Sequence, residues 1–157
     1  MRHAKSSWVD FSVGDHDRVL MEVGIKKTNK VAAYLKSKEI KPDLILSSTA
    51  VRAFETSKMV AVELGYPEQE IKTSKNIYHA GTDDIFDELF GLDNSIESVM
   101  IFGHNPTFTD FVNIFETPII NNLPTSGIAA ISFKTDKWEE IANSNFKVEF
   151  IVTPRML

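Results

Sequence analysis

The sequence predicts a single α/β domain with helices on both faces of its sheet, and three observations carry that prediction. Two short runs, residues 43–48 and 98–103, are largely continuous apolar stretches, as strands buried on both faces are. Each run is followed by residues able to cap a helix, and then by apolar residues at three- and four-residue spacing. Strands that alternate with amphipathic helices pack as a sheet covered by helices.

Composition bounds the rest. The chain has 157 residues, 43% of them apolar and 25% charged, which describes one ordinary globular domain spanning 1–157 with a sizeable core. Its net charge of -5 argues against broad nucleic-acid or anionic-membrane binding, which call for a basic face. Without cysteine there is no disulfide, no thiolate nucleophile and no cysteine zinc site. No apolar run approaches the ~20 residues that span a bilayer, and no signal peptide is visible, so a cytoplasmic protein is expected.

Taken in order, residues 9–19 are polar and irregular around Gly14 and read as a loop. Residues 22–38 read as a helix, with Ile25, Thr28, Ala32 and Leu35 on one face, and Pro42 closes the connection. The first buried strand, 43–48, leads to Ser48 or Thr49 as the cap of a helix that runs to Leu64 and stops at Gly65. Residues 71–78 are weakly strand-like. Thr82 caps a helix carrying Ile85, Phe86, Leu89 and Phe90. After the second buried strand, Asn105 caps and Pro106 takes the first helical position, where its missing N–H costs nothing. Phe108, Phe111, Val112 and Phe115 form that helix's apolar face, and 116–126 read as a loop. Residues 127–133 are a third strand, and Phe146, Val148, Phe150 and Val152 alternate as an edge or half-exposed strand does.

In open α/β sheets ligands bind beyond the carboxyl ends of the strands. Ser47-Ser48 and Gly103-His104 stand there, each at a helix N-terminus whose free N–H groups and dipole favour an anion. Arg52 and His104 therefore face one crevice, and Arg2-His3 supplies a second arginine and histidine. Singly, each has a plain reading: Arg2-His3 as a solvated terminus, His104 as a loop or capping residue, Arg52 as a helix surface charge. Together they predict a compact cationic pocket. His16 reads as a solvated loop residue, and the phenylalanines of 108–115 as core.

The segment Arg2-His3-Ala4-Lys5-Ser6-Ser7-Trp8 resembles the Arg-His-Gly signature of the histidine phosphatase superfamily, and its continuation looks like that of the SixA-type phosphohistidine phosphatases. Asp17-Arg18-Val19-Leu20 with Gly24, the run from Pro42 through Thr56, Gly103-His104-Asn105-Pro106, Leu123-Pro124-Thr125-Ser126-Gly127 and Pro154-Arg155 follow in that family's order. The resemblance covers nearly the whole chain. It implies a phosphoglycerate mutase-like three-layer sandwich with a mostly parallel central sheet. It implies His3 as the nucleophile, with Arg2, Arg52 and His104 completing the catalytic phosphate pocket and Ser6 among the substrate-binding residues. It implies no metal and no cofactor.

Chemistry supports the same roles. Phosphoryl transfer asks mainly for positioning and for positive charge on the equatorial oxygens. Arginine supplies a planar fork that stays charged. The two guanidinium groups should keep His3 neutral and able to attack, and water then releases the phosphoryl group. His104 would donate to that group.

Two departures from the resemblance matter. Family members place a buried strand before the Arg-His pair, whereas only Met1 precedes it here, so the first strand is expected to be missing from the sheet and a charged terminal amine to disturb His3. Many members also carry a carboxylate acid after the middle strand. Here Asp83 is the possible acid and His79 a weaker one. A site without a firm acid suits a leaving group such as imidazole better than an alkoxide. The expected substrate is phosphohistidine on a signalling or phosphotransfer protein. The alternatives are a broad phosphomonoesterase of small phosphorylated substrates, or a catalytically weak phosphate-binding module if the first strand is absent.

Overall fold

The computed structural model describes residues 1–157. Its elements are α1 (Glu22–Ser37), β1 (Leu44–Ser48), α2 (Val51–Leu64), β2 (Lys72–Ser74), α3 (Thr82–Phe90), β3 (Val99–Phe102), α4 (Thr107–Asn113), β4 (Ile128–Phe133) and β5 (Phe146–Val152). β1 is the middle of a parallel three-stranded sheet, with Leu46 opposite both Lys72 of β2 and Ile101 of β3. β4 and β5 form a separate antiparallel pair.

Alternation along the strands builds the layers. Ile45, Met100 and Phe102 join Val31, Ala32, Leu35, Val60 and Ala61 of α1 and α2 in one core. Their neighbours Leu46, Val99 and Ile101 turn the other way and pack with Ile85 and Leu89 of α3 and Phe108 of α4 in a second core. All five residues of β1 are buried, so its run has no polar face to show water. This is a mixed α/β fold with a parallel sheet flanked by helices.

Local chemistry moved several boundaries. α1 keeps the expected face, but Gly24 and Val31 belong to it while Ile25 stays partly in solvent. α2 ends at Gly65 in the left-handed conformation, as its sequence requires. Ser48 precedes the first turn of α2 and accepts the Ala50 N–H instead of capping from the N-cap position. Gly81, not Thr82, is the N-cap of α3, where the Asp84 carboxylate takes the Gly81 N–H. Pro106, not Asn105, is the N-cap of α4, and from one residue before it the Asn105 side chain accepts the Thr109 N–H. The weak strand of 71–78 shrinks to β2, then a 3-10 turn.

Residues 1–3 enter between β3 and β4. The Met1 amine donates to Ile101 O at 2.7 Å, and Met1 O accepts the Gly103 N–H. Arg2 N–H donates to Gly127 O, and His3 N–H to Gly103 O. Beyond this bridge the facing edges of β3 and β4 pair with no strand. An apolar groove of about 750 Å³ lies there, lined among others by Met1, Ile101, Phe108, Ile128 and Ala130.

Candidate active site

The site stands at the carboxyl ends of β1 and β3. Its floor is the extended segment 2–6, held on several sides. His3 N–H hangs on the end of β3, and Ala4 N–H donates to Thr56 Oγ1 of α2. α1 approaches the same segment so closely that a Cβ at Gly24 would sit 2.5 Å from Lys5 O. Gly103 is equally constrained, because a Cβ there would meet the Phe108 ring at 2.5 Å. These two glycines let two helix faces reach the backbone that carries the histidines.

Arg2, His3, Ser6, Arg52 and His104 all line one pocket of about 620 Å³. The His3 and His104 rings lie 5.2 Å apart. His3 Nδ1 is 2.7 Å from Ala4 O; a carbonyl only accepts, so Nδ1 carries the proton and Nε2 keeps its lone pair. Arg2 is aimed by Nη1, which donates to Leu123 O at 2.9 Å. His104 Nε2 lies 2.7 Å from Ser48 Oγ. The Ser48 hydroxyl also accepts from Ala50 N–H; in the tautomer where it donates its own proton to Nε2, the imidazole proton sits on Nδ1. That nitrogen, with Arg2 Nε and Arg52 Nε, is buried without a protein partner. Asp83 lies exposed in the first turn of α3 and is not among the residues lining the pocket.

The loop before α1 contributes more than its composition suggests. Asp15 lies over the pocket and gathers three donors. Arg52 donates through Nη1 to Asp15 O at 2.7 Å and through Nη2 to Oδ2 at 3.1 Å. Tyr78 donates its hydroxyl to Oδ2 at 2.6 Å, and Arg18 Nε donates to Oδ1 at 3.1 Å. Arg18 is buried, donates to Ser6 Oγ at 2.7 Å and lies 3.4 Å from the Trp8 ring centre. His16 is not a free loop residue: Nε2 meets Thr49 Oγ1 at 3.0 Å, and the ring stands edge-on to Tyr78. His79, the weaker of the two candidate acids, lines the pocket. Arg18 was visible as part of a family segment. Asp15 and Tyr78 had no sequence signal, since their partners lie 37 and 63 residues away; Ser48 was legible at its strand end, but not its bond to a histidine 56 residues on.

Burial sets the protonation states first and charge second. Burial, with Arg52, Arg2 and Arg18, pushes the His3 pKa down to about 4, while the Ala4 carbonyl pulls the other way. Burial, then Arg52 and His3, pushes His104 down to about 3. Both rings are neutral at pH 7; guanidinium charge, the expected cause for His3, is secondary to burial. Burial alone would raise Asp15, but the Tyr78 hydroxyl and the Arg52 and Arg18 guanidiniums hold it down to about 2. The Met1 amine does not act on His3 as a charge, because burial lowers its pKa to about 5.

A neutral imidazole nitrogen amid guanidiniums, at the strand ends of a parallel sheet, has the charge and the lone pair that group transfer from an anion calls for, and the likeness to known proteins agrees with such a site. Residues 1–78 match the family model of the histidine phosphatase superfamily, branch 1. An uncharacterised chloroplastic protein of Arabidopsis thaliana is 31% identical over 98% of this chain and 76% of its own length. The structure of the SixA protein of Agrobacterium tumefaciens superposes with a TM-score of 0.81 at 26% identity, covering 98% of this chain and 95% of that one. The protein histidine phosphatase SixA complexed with tungstate shares the fold, with a TM-score of 0.83 at 21% identity over 99% of this chain and 96% of that one. The chain belongs to the histidine phosphatase superfamily and is of the SixA type. No helix is long and apolar enough to cross a membrane.

Proposed function

We propose that this protein is a metal-independent phosphatase that works through phospho-His3, and that its substrate is phosphohistidine carried on a signalling or phosphotransfer protein. One observation carries the reading: the Nδ1–H of His3 is spent on Ala4 O, which leaves the Nε2 lone pair free in a pocket lined by Arg2, Arg18 and Arg52. His3 Nε2 attacks phosphorus, and the leaving group departs on the opposite side. Arg2 and Arg52 stabilise the equatorial oxygens, His104 donates through Nδ1, and Ser6 and Arg18 complete the anion's surroundings. The three buried nitrogens without protein partners gain a counter-charge when the phosphoryl group arrives. Water then attacks phospho-His3, whose Nδ1–H bond to Ala4 O makes the ring a good leaving group.

Two features favour a substrate carried by a protein. The sole carboxylate lining the pocket, Asp15, is held down to about 2 and donates no proton at neutral pH, so an alkoxide leaving group gets no help from it. Trp8, which lines the pocket, is 65% exposed, and the segment that continues from it leaves Val9 81% and Phe11 96% exposed. Residues that face water so fully beside a polar pocket suit contact with a macromolecule. We place the activity in the cytoplasm, which suits a chain with no cysteine to pair.

The test is capture of the intermediate. Brief incubation with phosphoimidazole and a quench that avoids acid should add one phosphoryl group to the intact mass, localised to His3 and lost in His3→Ala. A phosphorylated wild type that hydrolyses sugar phosphates but not phosphohistidine would keep the nucleophile and shift the substrate to small phosphomonoesters. Bound phosphate with no covalent label would leave only the phosphate-binding module.

A further inference from the structure

We propose that His79 is the catalytic proton donor to the leaving imidazole and the acceptor of the proton from the attacking water. The inference rests on the phosphohistidine reading above and deepens it. Six side chains of the pocket can in principle move a proton: His3, Lys5, His104, Asp15, Tyr78 and His79; lysine as a residue type keeps its proton near pH 7 and so lacks the accepting half of the role. His3 is the nucleophile. His104 Nε2 is engaged with Ser48 and its ring stays neutral at pH 7. Asp15 holds no proton, and the Tyr78 hydroxyl proton is committed to it at 2.6 Å. His79 alone has both ring nitrogens free of protein partners while lining the same pocket.

Its placement is built into the loop. His79 has a φ of 56°, a left-handed conformation that non-glycine residues adopt at a cost. The neighbours on either side enforce it: Tyr78 is tied to Asp15 through its hydroxyl, and Ala80 O accepts the Thr107 hydroxyl. The His79 ring lies against Tyr78 with centroids 4.0 Å apart, and Tyr78 stands edge-on to His104 at 5.6 Å. The result is an imidazole at the pocket's exposed mouth, whereas His3 and His104 lie deeper.

That depth matches the chemistry of phosphohistidine. The phosphorylated nitrogen faces His3, and the second nitrogen of the leaving ring projects outward, toward the mouth. The P–N bond breaks readily only when that second nitrogen holds a proton. In the first half-reaction His3 Nε2 forms a bond to phosphorus and the substrate P–N bond breaks. Its electron pair stays on the departing nitrogen, and His79 supplies the proton on the other. In the second, water attacks phosphorus and its proton passes to His79. The bond to Nε2 breaks, its electron pair returns to His3, and His79 is again protonated.

The experiment compares phosphoimidazole with 1-phospho-3-methylimidazolium, whose second nitrogen is methylated and needs no proton. His79→Ala, and His79→Asn as a variant at ease with left-handed backbone, should lose ~100-fold in kcat/KM on phosphoimidazole. Both should keep wild-type kcat/KM on the methylated donor, because kcat/KM reports the formation of phospho-His3, the half-reaction in which that donor needs no proton. Equal loss on both donors would make His79 a structural residue, and loss on neither would remove it from the reaction. If the wild type proves inert to phosphoimidazole but active on aryl phosphates, the substrate reading fails while His79 is still decided. A donor role then demands a larger loss on phenyl phosphate than on 4-nitrophenyl phosphate, and equal effects overturn it.

Discussion

His3 and His104 are both held neutral by burial, and that has a cost outside catalysis. Their folded pKa values, about 4 and about 3, lie below the ordinary 6.5. A depressed histidine pKa contributes stability that is complete above the unfolded value and is lost as pH falls through the folded one. The melting temperature should therefore decline gently from pH 8 to 6.5, through the buried Met1 amine alone, and then more steeply as the two histidines add to it, by on the order of 10 °C by pH 4. His3→Ala should flatten that slope; a wild-type Tm unchanged down to pH 4 would contradict the assigned burial. Arg52 makes a second prediction at this scale. Both of its Nη groups engage Asp15, one on the carbonyl and one on the carboxylate. Lysine keeps the charge but cannot hold that fork. Arg52→Lys should reduce kcat/KM by roughly 10²-fold with the fold intact by circular dichroism. Near-wild-type turnover would mean that charge alone suffices there.

At the scale of elements, the groove between β3 and β4 leaves two strand edges without a strand partner. Two strand edges face each other across apolar side chains, joined only by residues 1–3. We expect that an extended strand of five β-branched residues fused ahead of Met1 will seat there. It would cover Ile101, Ile128 and Phe108 and pair both edges. It would also replace the buried amine, whose lowered pKa takes stability away below pH 8, with an uncharged amide that can make the same bond to Ile101 O. A rise in Tm on the order of 10 °C is expected, against no rise for a Gly-Ser extension of equal length. Equal melting of the two would show that the groove recruits no strand. The same elements show what the sequence could reveal. β1, β3 and the helices after them were legible because period and punctuation are local: an apolar run, a cap, a Gly65 stop. β2 was faint, since only three residues pair and two of them are exposed. The pocket was half legible. Arg2, His3, Ser6, Arg52 and His104 stand at strand ends or in a family segment. Asp15 and Tyr78 meet only because the fold folds a polar loop back over the sheet, and no spacing encodes a contact 63 residues apart.

For the whole molecule, charge and surface have to be considered together. The chain carries a net charge of -5, yet its pocket concentrates Arg2, Arg18 and Arg52 around a single carboxylate. A local positive field on an acidic body draws the phosphoryl group without attracting polyanions at large. Under the proposed phosphohistidine reading, selection among phosphorylated molecules falls to the surface around the pocket. Trp8 is fixed there by its ring over Arg18, which ties the apolar edge to the pocket's own guanidinium. Val9 and Phe11 stand beside it almost fully in solvent. A carrier protein that inserts its phosphohistidine toward His3 must lay its surface on this edge, where a buried aromatic contact is worth ~1–2 kcal/mol. The double variant Val9→Ser, Phe11→Ser should therefore lose about tenfold or more in kcat/KM on a histidine-phosphorylated four-helix phosphotransfer protein. Free phosphoimidazole reports the chemistry alone, because it is too small to span the rim, and its turnover should stay unchanged. If both substrates slow together, the loop shapes the pocket instead of docking the carrier. If neither slows, the exposed phenylalanine has no part in choosing the substrate.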